Sequence, residues 1–295
     1  MNRILFGDNQ FFGINHISEE KSRNQSIQFK EDKTIVKTIK YANNIGIDTF
    51  MCTTHDRMIN ITSIIKNNPI EYEYFNFYPC MPYAHKYANA VTELGIIGAL
   101  KQYVPGNYFS TLFKTGTAYL KKDYISMMHV LIDAEMKIFE GTRTPIVFLQ
   151  NVITDMLLGL GMKDLLKAFH DYITQKYNAE AGFITMNMPR LINDLESIGI
   201  YNPVICTSIN KIGFRMAGGI ELYEKTLQKN SARIIAMQVF AGGAIPPNEA
   251  LKYICQLPNV ESILFGASSK QNIEQTVNYI HQFDSMYQLS ESQIY

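Results

Sequence analysis

The sequence predicts an α/β fold, a (β/α)8 TIM barrel in one domain over residues 1–295, with an insertion at 105–141 between strands three and four. First, short apolar runs alternate with segments of helical spacing along the whole chain, which predicts β-α-β units. Second, the runs are nearly continuous in apolar residues, as is typical of parallel strands buried on both faces. Third, there are eight of them, which favours a closed barrel over the alternative, an open doubly wound sheet.

The predicted elements follow one another in a regular order. Strands are predicted at 4–6, 48–52, 74–78, 145–150, 182–187, 203–208, 233–239 and 262–266. Helices are predicted at 32–45, 84–103, 161–177, 189–199, 218–229, 247–256 and 271–283.

One connection is longer than a barrel needs. About 65 residues separate strands three and four, where a handful would do. Within this stretch, Met127, Val130, Leu131, Ala134 and Ile138 have helical spacing. We therefore expect an extra loop and helix at 105–141, which is a lid over the site, a contact in a homo-oligomer, or a decorating helix without a role in chemistry.

The composition excludes several classes of protein. Hydrophobic residues make up 46% of the chain, so a core can form without metals or disulfides. Lys+Arg and Asp+Glu both number 27, and this balance argues against a nucleic-acid or acidic-membrane partner. No apolar run reaches the length of a membrane span, and the first residues already read as a strand rather than a signal peptide. We expect a cytoplasmic protein with reduced cysteines and a small-molecule substrate.

The end of strand eight carries the most informative local pattern. An apolar run ending at Phe265 stops at Gly266-Ala267-Ser268-Ser269, which we call the strand-eight turn, and a helical pattern follows at once. Small residues allow a ligand to approach the backbone, and a serine can cap the helix. The N–H groups and dipole of that helix then favour an anion such as a phosphate, at the edge where barrels usually hold one. The alternative is an ordinary turn with a good cap.

Polar side chains gather where the predicted strands end. The carboxyl ends of barrel strands meet at one face, so these side chains are expected to share a site. Amides and hydroxyls there suit a polyhydroxylated ligand such as a sugar better than an apolar one. The candidate substrate-binding residues are Asp8, Asn9, Gln10, Gln150, Asn151, Asn187, Asn210 and Lys211.

The second half of the chain resembles the aldo-keto reductase family. The resemblance covers about residues 180–280 and lies in FITMNMPRLINDLESIGIYNPVICTSIN, ARIIAMQVFAGGAI and ALKYICQLPNVESILFGASSKQNIEQTV, similar to that family's strands five to eight. It implies that the strand-eight turn and the next helix hold the phosphate end of NADP(H). By position, the residues implied are Gly266, Ala267, Ser268, Lys270, Asn272 and Gln275; we assign Ser208 and Gln238, which end strands six and seven, to the same cofactor.

The first half resembles the family at NIGIDTFMCTTHD, where Asp48 matches the active-site aspartate. The sequence then departs from the family pattern. Thr53 stands where the catalytic tyrosine belongs, Pro79-Cys80 where strand three should end in a lysine, and Gln150-Asn151 where strand four should end in a histidine. The resemblance therefore supports the fold and NADP(H), and argues against the usual chemistry.

Asp48 and His55 are the candidate catalytic residues, as a carboxylate-oriented general acid/base pair. The alternative is a capping aspartate and an exposed loop histidine. Asp8, His16, Asp48 and His55 lack the close spacing of metal ligands, so no metal site is predicted.

Three functions are left open. The first is an aldo-keto-reductase-like enzyme with an altered acid/base set, which binds NADP(H) or a sugar phosphate. The second is a barrel lyase or isomerase that uses Lys211 as a Schiff-base nucleophile or a metal at the rim. The third is a non-catalytic metabolite-binding descendant, which would be indicated by a site filled with side chains such as Phe11, Phe12 and Tyr78 rather than an open polar cleft.

Overall fold

Eight parallel strands close into a barrel in the computed structural model, which describes residues 1–14, 19–83 and 121–284. The strands pair in sequence order, and β8 pairs with β1, which confirms the predicted (β/α)8 fold. They are β1 (Ile4–Gly7), β2 (Thr49–Thr53), β3 (Asn76–Met81), β4 (Ile146–Leu149), β5 (Glu180–Thr185), β6 (Val204–Ser208), β7 (Arg233–Met237) and β8 (Val260–Phe265).

Ten helices surround the barrel in the described part of the chain. They are α1 (Glu19–Gln28), α2 (Asp32–Asn44), α3 (Met58–Lys66), α4 (Lys121–Met136), α5 (Asn151–Leu160), α6 (Lys163–Tyr177), α7 (Met188–Glu196), α8 (Gly219–Leu227), α9 (Pro247–Gln256) and α10 (Lys270–Phe283). Short 3-10 helices lie at Asn9–Phe12, Lys137–Phe139 and Ala241–Gly243.

Apolar side chains pack on both faces of the sheet, which explains why the strands read as continuous apolar runs. One cluster fills the barrel interior and includes Leu5, Met51, Phe148 and Cys206. A larger cluster lies between the strands and the helices. In α7, for example, Met188, Leu191, Ile192 and Leu195 are buried at the spacing of one helical face.

Three described helices were not predicted, namely α1, α3 and α5. Helix α5 begins directly after β4, where Gln150 and Asn151 had been interpreted as a polar rim. The predicted helix 84–103 lies outside the described residues, as does the first part of the insertion, 105–120. Its second part contains α4, as its apolar spacing predicts.

Strand β3 lies later in the chain than predicted, at Asn76–Met81 instead of 74–78. Pro79 lies within the strand, and a cis Met81–Pro82 peptide bond follows it. The predicted strand ends before Pro79, a residue that lacks a donor for the sheet ladder. The strand instead continues to Met81, so Cys80 is a strand residue that faces the barrel interior.

No helix in the described ranges combines the length and the apolar character that a bilayer crossing would need. Within the same ranges the four cysteines are all free thiols, with Cys52, Cys80 and Cys206 buried and Cys255 half-buried.

The interior packing predicts the outcome of a small substitution in β5. Gly182 lies opposite Phe148 in the β4–β5 register, and a Cβ at Gly182 would overlap the Phe148 ring, which is fully buried. We expect Gly182→Ala to lower the free energy of unfolding by about 1–3 kcal/mol, because the ring has no space to move into. Urea denaturation measures the change.

A matched control is available in α5. A Cβ at Gly159 meets nothing within 4 Å, so Gly159→Ala is expected to stabilise the protein by about 0.5–1 kcal/mol through helix propensity alone. Equal effects of the two alanine substitutions would contradict the packing argument.

Candidate active site

A cavity of about 1070 Å³ opens at the carboxyl ends of the strands. Its floor is formed by strand-end side chains such as Thr53, Cys80 and Ile184, and its walls by the loops that follow the strands. Many residues that the sequence assigned to substrate or cofactor meet there, although they are far apart in the chain. These are Asp8, Asn9, Gln10, Gln150, Asn151, Gln238, Gly266, Ala267, Ser268, Asn272 and Gln275.

Asp8 lies at the floor, directly after β1. Its Oδ2 accepts hydrogen bonds from the Thr53 N–H at 2.7 Å and from the Thr53 hydroxyl at 2.6 Å. Only 6% of Asp8 is exposed. Burial raises the pKa of this carboxyl because it penalises the charged form, and the two bonds from Thr53 offset part of that effect. Asp8 therefore keeps its proton to a higher pH than an exposed aspartate does.

Two further ionisable side chains line the floor near Asp8. Burial raises the pKa of the Cys80 thiol well above its usual value, so the thiol stays protonated. Burial also raises the pKa of the Tyr83 hydroxyl, and the charge of Asp8 adds to this effect. Cys80 and Tyr83 therefore offer neutral donors at neutral pH, and Cys80 does not offer a thiolate nucleophile.

The strand-eight turn forms one wall of the cavity. Ser269 caps α10, since its hydroxyl accepts from the Asn272 N–H at 3.2 Å. On the other side, the Gln28 side chain at the end of α1 donates to the Ser268 carbonyl at 2.7 Å. Lys270 does not line the cavity, and its ammonium group lies 4.6 Å from the centre of the Tyr41 ring. The turn is therefore neutral where the resemblance implied a lysine.

Two predicted residues act through their neighbours instead of lining the cavity. Ser208 donates to the side chain of Gln238 at 2.8 Å, and Gln238 itself reaches the cavity with a positive φ of 54°. Asn210 is fully buried and exchanges hydrogen bonds with the backbone of Phe214, at 2.8 and 2.9 Å. Asn210 thus fixes the loop after β6.

That loop brings Arg215 to the cavity, which sequence reasoning missed. Arg215 has a positive φ of 54°, and its guanidinium lies 5.3 Å from the centre of the Phe214 ring. Among the described cavity-lining residues, Arg215 is the only cation and Asp8 the only acid. Arg215 follows the last residue of β6 by seven positions and carries no local signal in the sequence, because its place at the cavity depends on the loop that Asn210 fixes.

Asp48 is not part of the site, so the predicted Asp48–His55 pair is not formed. Asp48 precedes β2 and accepts a hydrogen bond from the Asn2 side chain, which precedes β1. It therefore lies at the amino ends of the strands, and β2 separates it from His55 by roughly 16 Å at 3.3 Å per residue. The resemblance implied an aspartate at the active-site end of β2, whereas Asp48 lies at the amino end of that strand.

His55 lies near the opening of the cavity, beside the lining residue Tyr83, but does not itself line the cavity. Its ring stacks on Phe12 at 4.2 Å and lies 5.3 Å from the Tyr83 ring, and its Nδ1 accepts from the Arg57 N–H. His16 lies outside the described residues. In the described chain no group of three or more His, Cys, Asp or Glu side chains is placed to hold a metal ion.

Asn187 and Lys211 are not brought into the cavity either. The Asn187 side chain caps α7 by accepting from the Arg190 N–H. Lys211 is half-exposed and pairs with Glu249 at 3.1 Å. This geometry removes the structural basis for Lys211 as a desolvated Schiff-base nucleophile.

Glu135 connects the insertion to the site and was also missed. It lies on α4, is 2% exposed, and accepts from the Thr54 hydroxyl at 2.6 Å and from the Tyr83 N–H at 3.2 Å. The insertion therefore holds the residues that follow β2 and β3. The sequence signal that was available is a single glutamate among the apolar residues of this helix. A buried glutamate is nearly always paired, so such a residue indicates a hydrogen-bonded contact.

We expect Glu135→Ala to lower the free energy of unfolding by about 1–3 kcal/mol, since it leaves buried donors at Thr54 and Tyr83 without an acceptor. Glu135→Gln keeps one acceptor oxygen and should lose less. Denaturant unfolding measures both, with the exposed Glu140→Ala as the control. A loss of unfolding free energy in Glu140→Ala as large as in Glu135→Ala would contradict the role of the hydrogen bonds that Glu135 accepts from Thr54 and Tyr83.

The raised pKa of Asp8 also makes stability depend on pH. The folded protein holds this proton to a higher pH than the unfolded chain, so Asp8 destabilises the fold as pH rises from its usual pKa of 3.8 towards the raised value, and its effect is constant above that. Asp8→Asn cannot ionise. We therefore expect the stability of the variant relative to the wild type to increase with pH over this window, as measured by urea unfolding at several pH values. A constant difference would contradict the assignment.

Comparisons with known proteins support a relationship of fold. No family model matches the sequence, and no curated protein matches it. Solved structures that resemble this chain are aldo-keto reductases, the family that the sequence resemblance indicated.

A putative aldo-keto reductase from Pseudomonas aeruginosa has a TM-score of 0.59 at 10% identity, covering 95% of this chain and 90% of that chain. An aldo-keto reductase from Bacillus halodurans, in its holo form, has a TM-score of 0.56 at 12% identity over 85% of this chain and 82% of that chain. One from Klebsiella pneumoniae, in complex with NADPH, has a TM-score of 0.53 at 9% identity over 99% of this chain and 89% of that chain. At such identities the comparison shows that this chain has the barrel fold of the aldo-keto reductases.

Proposed function

We propose that this protein is an oxidoreductase of the aldo-keto reductase type with an altered active site, which binds a nicotinamide dinucleotide and acts on a polar, sugar-type carbonyl substrate. The observation that carries the proposal is the strand-eight turn. Gly266, Ala267 and Ser268 line a large cavity at the carboxyl ends of the strands, together with Asn272 in the first turn of α10, the helix that Ser269 caps. A helix start of this kind favours a phosphate.

The size of the cavity supports a large ligand. At about 1070 Å³ its volume slightly exceeds the usual range of small-molecule sites, about 300–1,000 Å³. Asn272 and Gln275 of α10 supply amide donors on one side, and Arg215 supplies a cation. These groups fit the phosphates of a dinucleotide, with NADP(H) the form that the sequence resemblance implies. A sugar phosphate is the smaller alternative.

Asp8 takes the role of proton donor in this proposal, in place of Asp48. It lies at the floor, it is held by Thr53, and burial favours its protonated form. A dinucleotide, when bound, supplies the hydride, and the carbonyl oxygen of the substrate then needs a proton from a positioned acid. Thr53 would keep the carboxyl oriented towards the cavity.

The substrate class follows from the neutral, amide-rich wall. Asn9, Gln150 and Asn151 line the cavity. Each amide offers both a donor and an acceptor, which matches hydroxyl groups better than apolar or strongly charged substrates.

The other functions receive less support. Lys211 is paired with Glu249 away from the cavity, which disfavours a Schiff-base lyase. Phe11, Phe12 and Tyr78 do not line the cavity, which is open rather than filled. An open polar cleft is typical of a protein with a working binding or catalytic site. The non-catalytic alternative would instead be indicated by a cleft filled with side chains.

The test is a thermal-shift titration with NADPH, NADH and a panel of sugar phosphates, followed by turnover of aldose and ketose substrates. A ligand at a hundredfold excess over its Kd should stabilise the protein by about 2.7 kcal/mol. Stabilisation by sugar phosphates alone would favour a lyase or isomerase, and the absence of any shift would refute the proposed function.

For the wild type we expect kcat to fall as pH rises through the raised pKa of Asp8, because the acid is then lost. Asp8→Asn should lower kcat by about 10²–10⁴-fold and leave the dinucleotide Kd nearly unchanged. Asp164→Asn, exposed on α6, is the matched control. Full activity in Asp8→Asn would show that the proton comes from another group.

A further inference from the structure

Helix α1 forms one wall of the cavity but has no apolar face that packs on the barrel. Its residues Asn24, Gln25 and Gln28 line the cavity, and α10 lines it from the other side. None of the described side chains of α1 is buried, and its one apolar residue, Ile27, is 69% exposed. Helix α10, in contrast, buries an apolar face that includes Ile273. A polar helix of ten residues is marginal by itself, so the position of α1 depends on its surface contacts.

Those contacts are few within the described chain. The Gln28 side chain donates to the Ser268 carbonyl at 2.7 Å, across the gap between α1 and the strand-eight turn. The Ser22 hydroxyl donates to the Gly13 carbonyl. Gln25 Oε1 is buried without a donor among the described residues, which disfavours this position of the helix. The body of α1 is therefore held by single hydrogen bonds between neutral groups.

The carboxyl end of α1 is fixed, in contrast to its body. Phe29 follows directly, is fully buried, and its ring lies 4.8 Å from the Phe11 ring. Arg57 donates to the Phe29 carbonyl at 2.7 Å and pairs with Asp32 at 2.6 Å. Because the chain is anchored at Phe29, α1 leaves the cavity by turning or unfolding about this end.

The barrel beneath this wall is closed. Gln10 packs against Gly266, and a Cβ at Gly266 would overlap Gln10 Oε1. A ligand at the strand-eight turn therefore lies above Gln10, between α1 and α10. Breaking the hydrogen bond between Gln28 and Ser268 separates the two walls that enclose it.

We propose that α1 is a lid that opens to admit the ligand and closes over it, and that Gln28 is the positioning residue that holds the lid closed. The inference rests on the proposed function, since the ligand is taken to be the dinucleotide. The amides of Asn24 and Gln25 line the cavity, so a bound ligand adds hydrogen bonds that only the closed lid makes. Occupancy therefore favours the closed state.

Hydrogen exchange, measured by mass spectrometry on the whole protein, tests the lid. In the free protein we expect the amides of α1 to exchange at least about a hundredfold faster than those of α7, which buries an apolar face and does not line the cavity. Saturation with NADH or NADPH should slow exchange in α1 by at least about tenfold and leave α7 unchanged. Exchange in free α1 as slow as in α7 overturns the inference.

Calorimetric titration establishes separately whether NADH or NADPH binds. Binding that leaves exchange in α1 unchanged overturns the lid and leaves the proposed function intact. If neither dinucleotide binds, the proposed function fails and the lid fails with it.

One variant tests the role of Gln28. Gln28→Met keeps the length of the side chain and removes its donor. Dissociation of the dinucleotide, measured by stopped-flow fluorescence, should become about three- to tenfold faster, the effect of one hydrogen bond, and exchange in bound α1 should accelerate by a similar factor. Ile27→Met, exposed on the same helix and outside the cavity, introduces the same side chain as a matched control and should change neither rate.

Faster dissociation with unchanged exchange in α1 would assign Gln28 to a direct contact with the ligand and overturn its role in the lid. Equal effects of the two methionine variants would also overturn it. Thermal melting checks that each variant is folded, and exchange in the wild type carries the test if Gln28→Met does not fold.

Discussion

The pairing of β1 with β8 is the constraint on which the site depends. Ile4, Leu5 and Phe6 pair with Ile263, Leu264 and Phe265, so the two ends of the barrel sequence become neighbours. Because both strands run in the same direction, the residues after β1 meet the strand-eight turn. Without this closure, Gln10 and Gly266 would have no reason to lie together, and the cavity would lack one wall.

The fold could be predicted because it depends on a repeated pattern. Each strand buries both faces, and each buried run is visible in the sequence without knowledge of its partners. The boundaries were less predictable where a local rule conflicts with tertiary structure. Pro79 satisfies the usual criterion for a strand end, yet β3 continues to Met81. Helix α5 was missed because its first residues, Gln150 and Asn151, read equally well as a polar loop.

The site was predictable in part. Residues directly after β1, β4 and β8 reach the cavity because the carboxyl ends of the strands define it. The prediction of Asp48 as a catalytic residue was wrong because a match to a motif does not specify at which end of the strand a residue lies. Arg215 and Glu135 reach the mouth through a loop fixed by Asn210 and through a helix from the insertion. Such positions depend on contacts between distant segments, which one sequence does not display.

Glu135 has a consequence for how this barrel can be altered. In many barrels each strand with its following loop and helix is a separable unit, and loops at the mouth are exchanged one at a time. Here the insertion after β3 is hydrogen-bonded to Thr54, which follows β2, and to the backbone at Tyr83. The smallest exchangeable module therefore extends from β2 to β4. A single loop grafted into this region would lack the Glu135 carboxylate that accepts hydrogen bonds from Thr54 and Tyr83. A chimaera designed loop by loop would therefore lose the arrangement of the loops around the cavity.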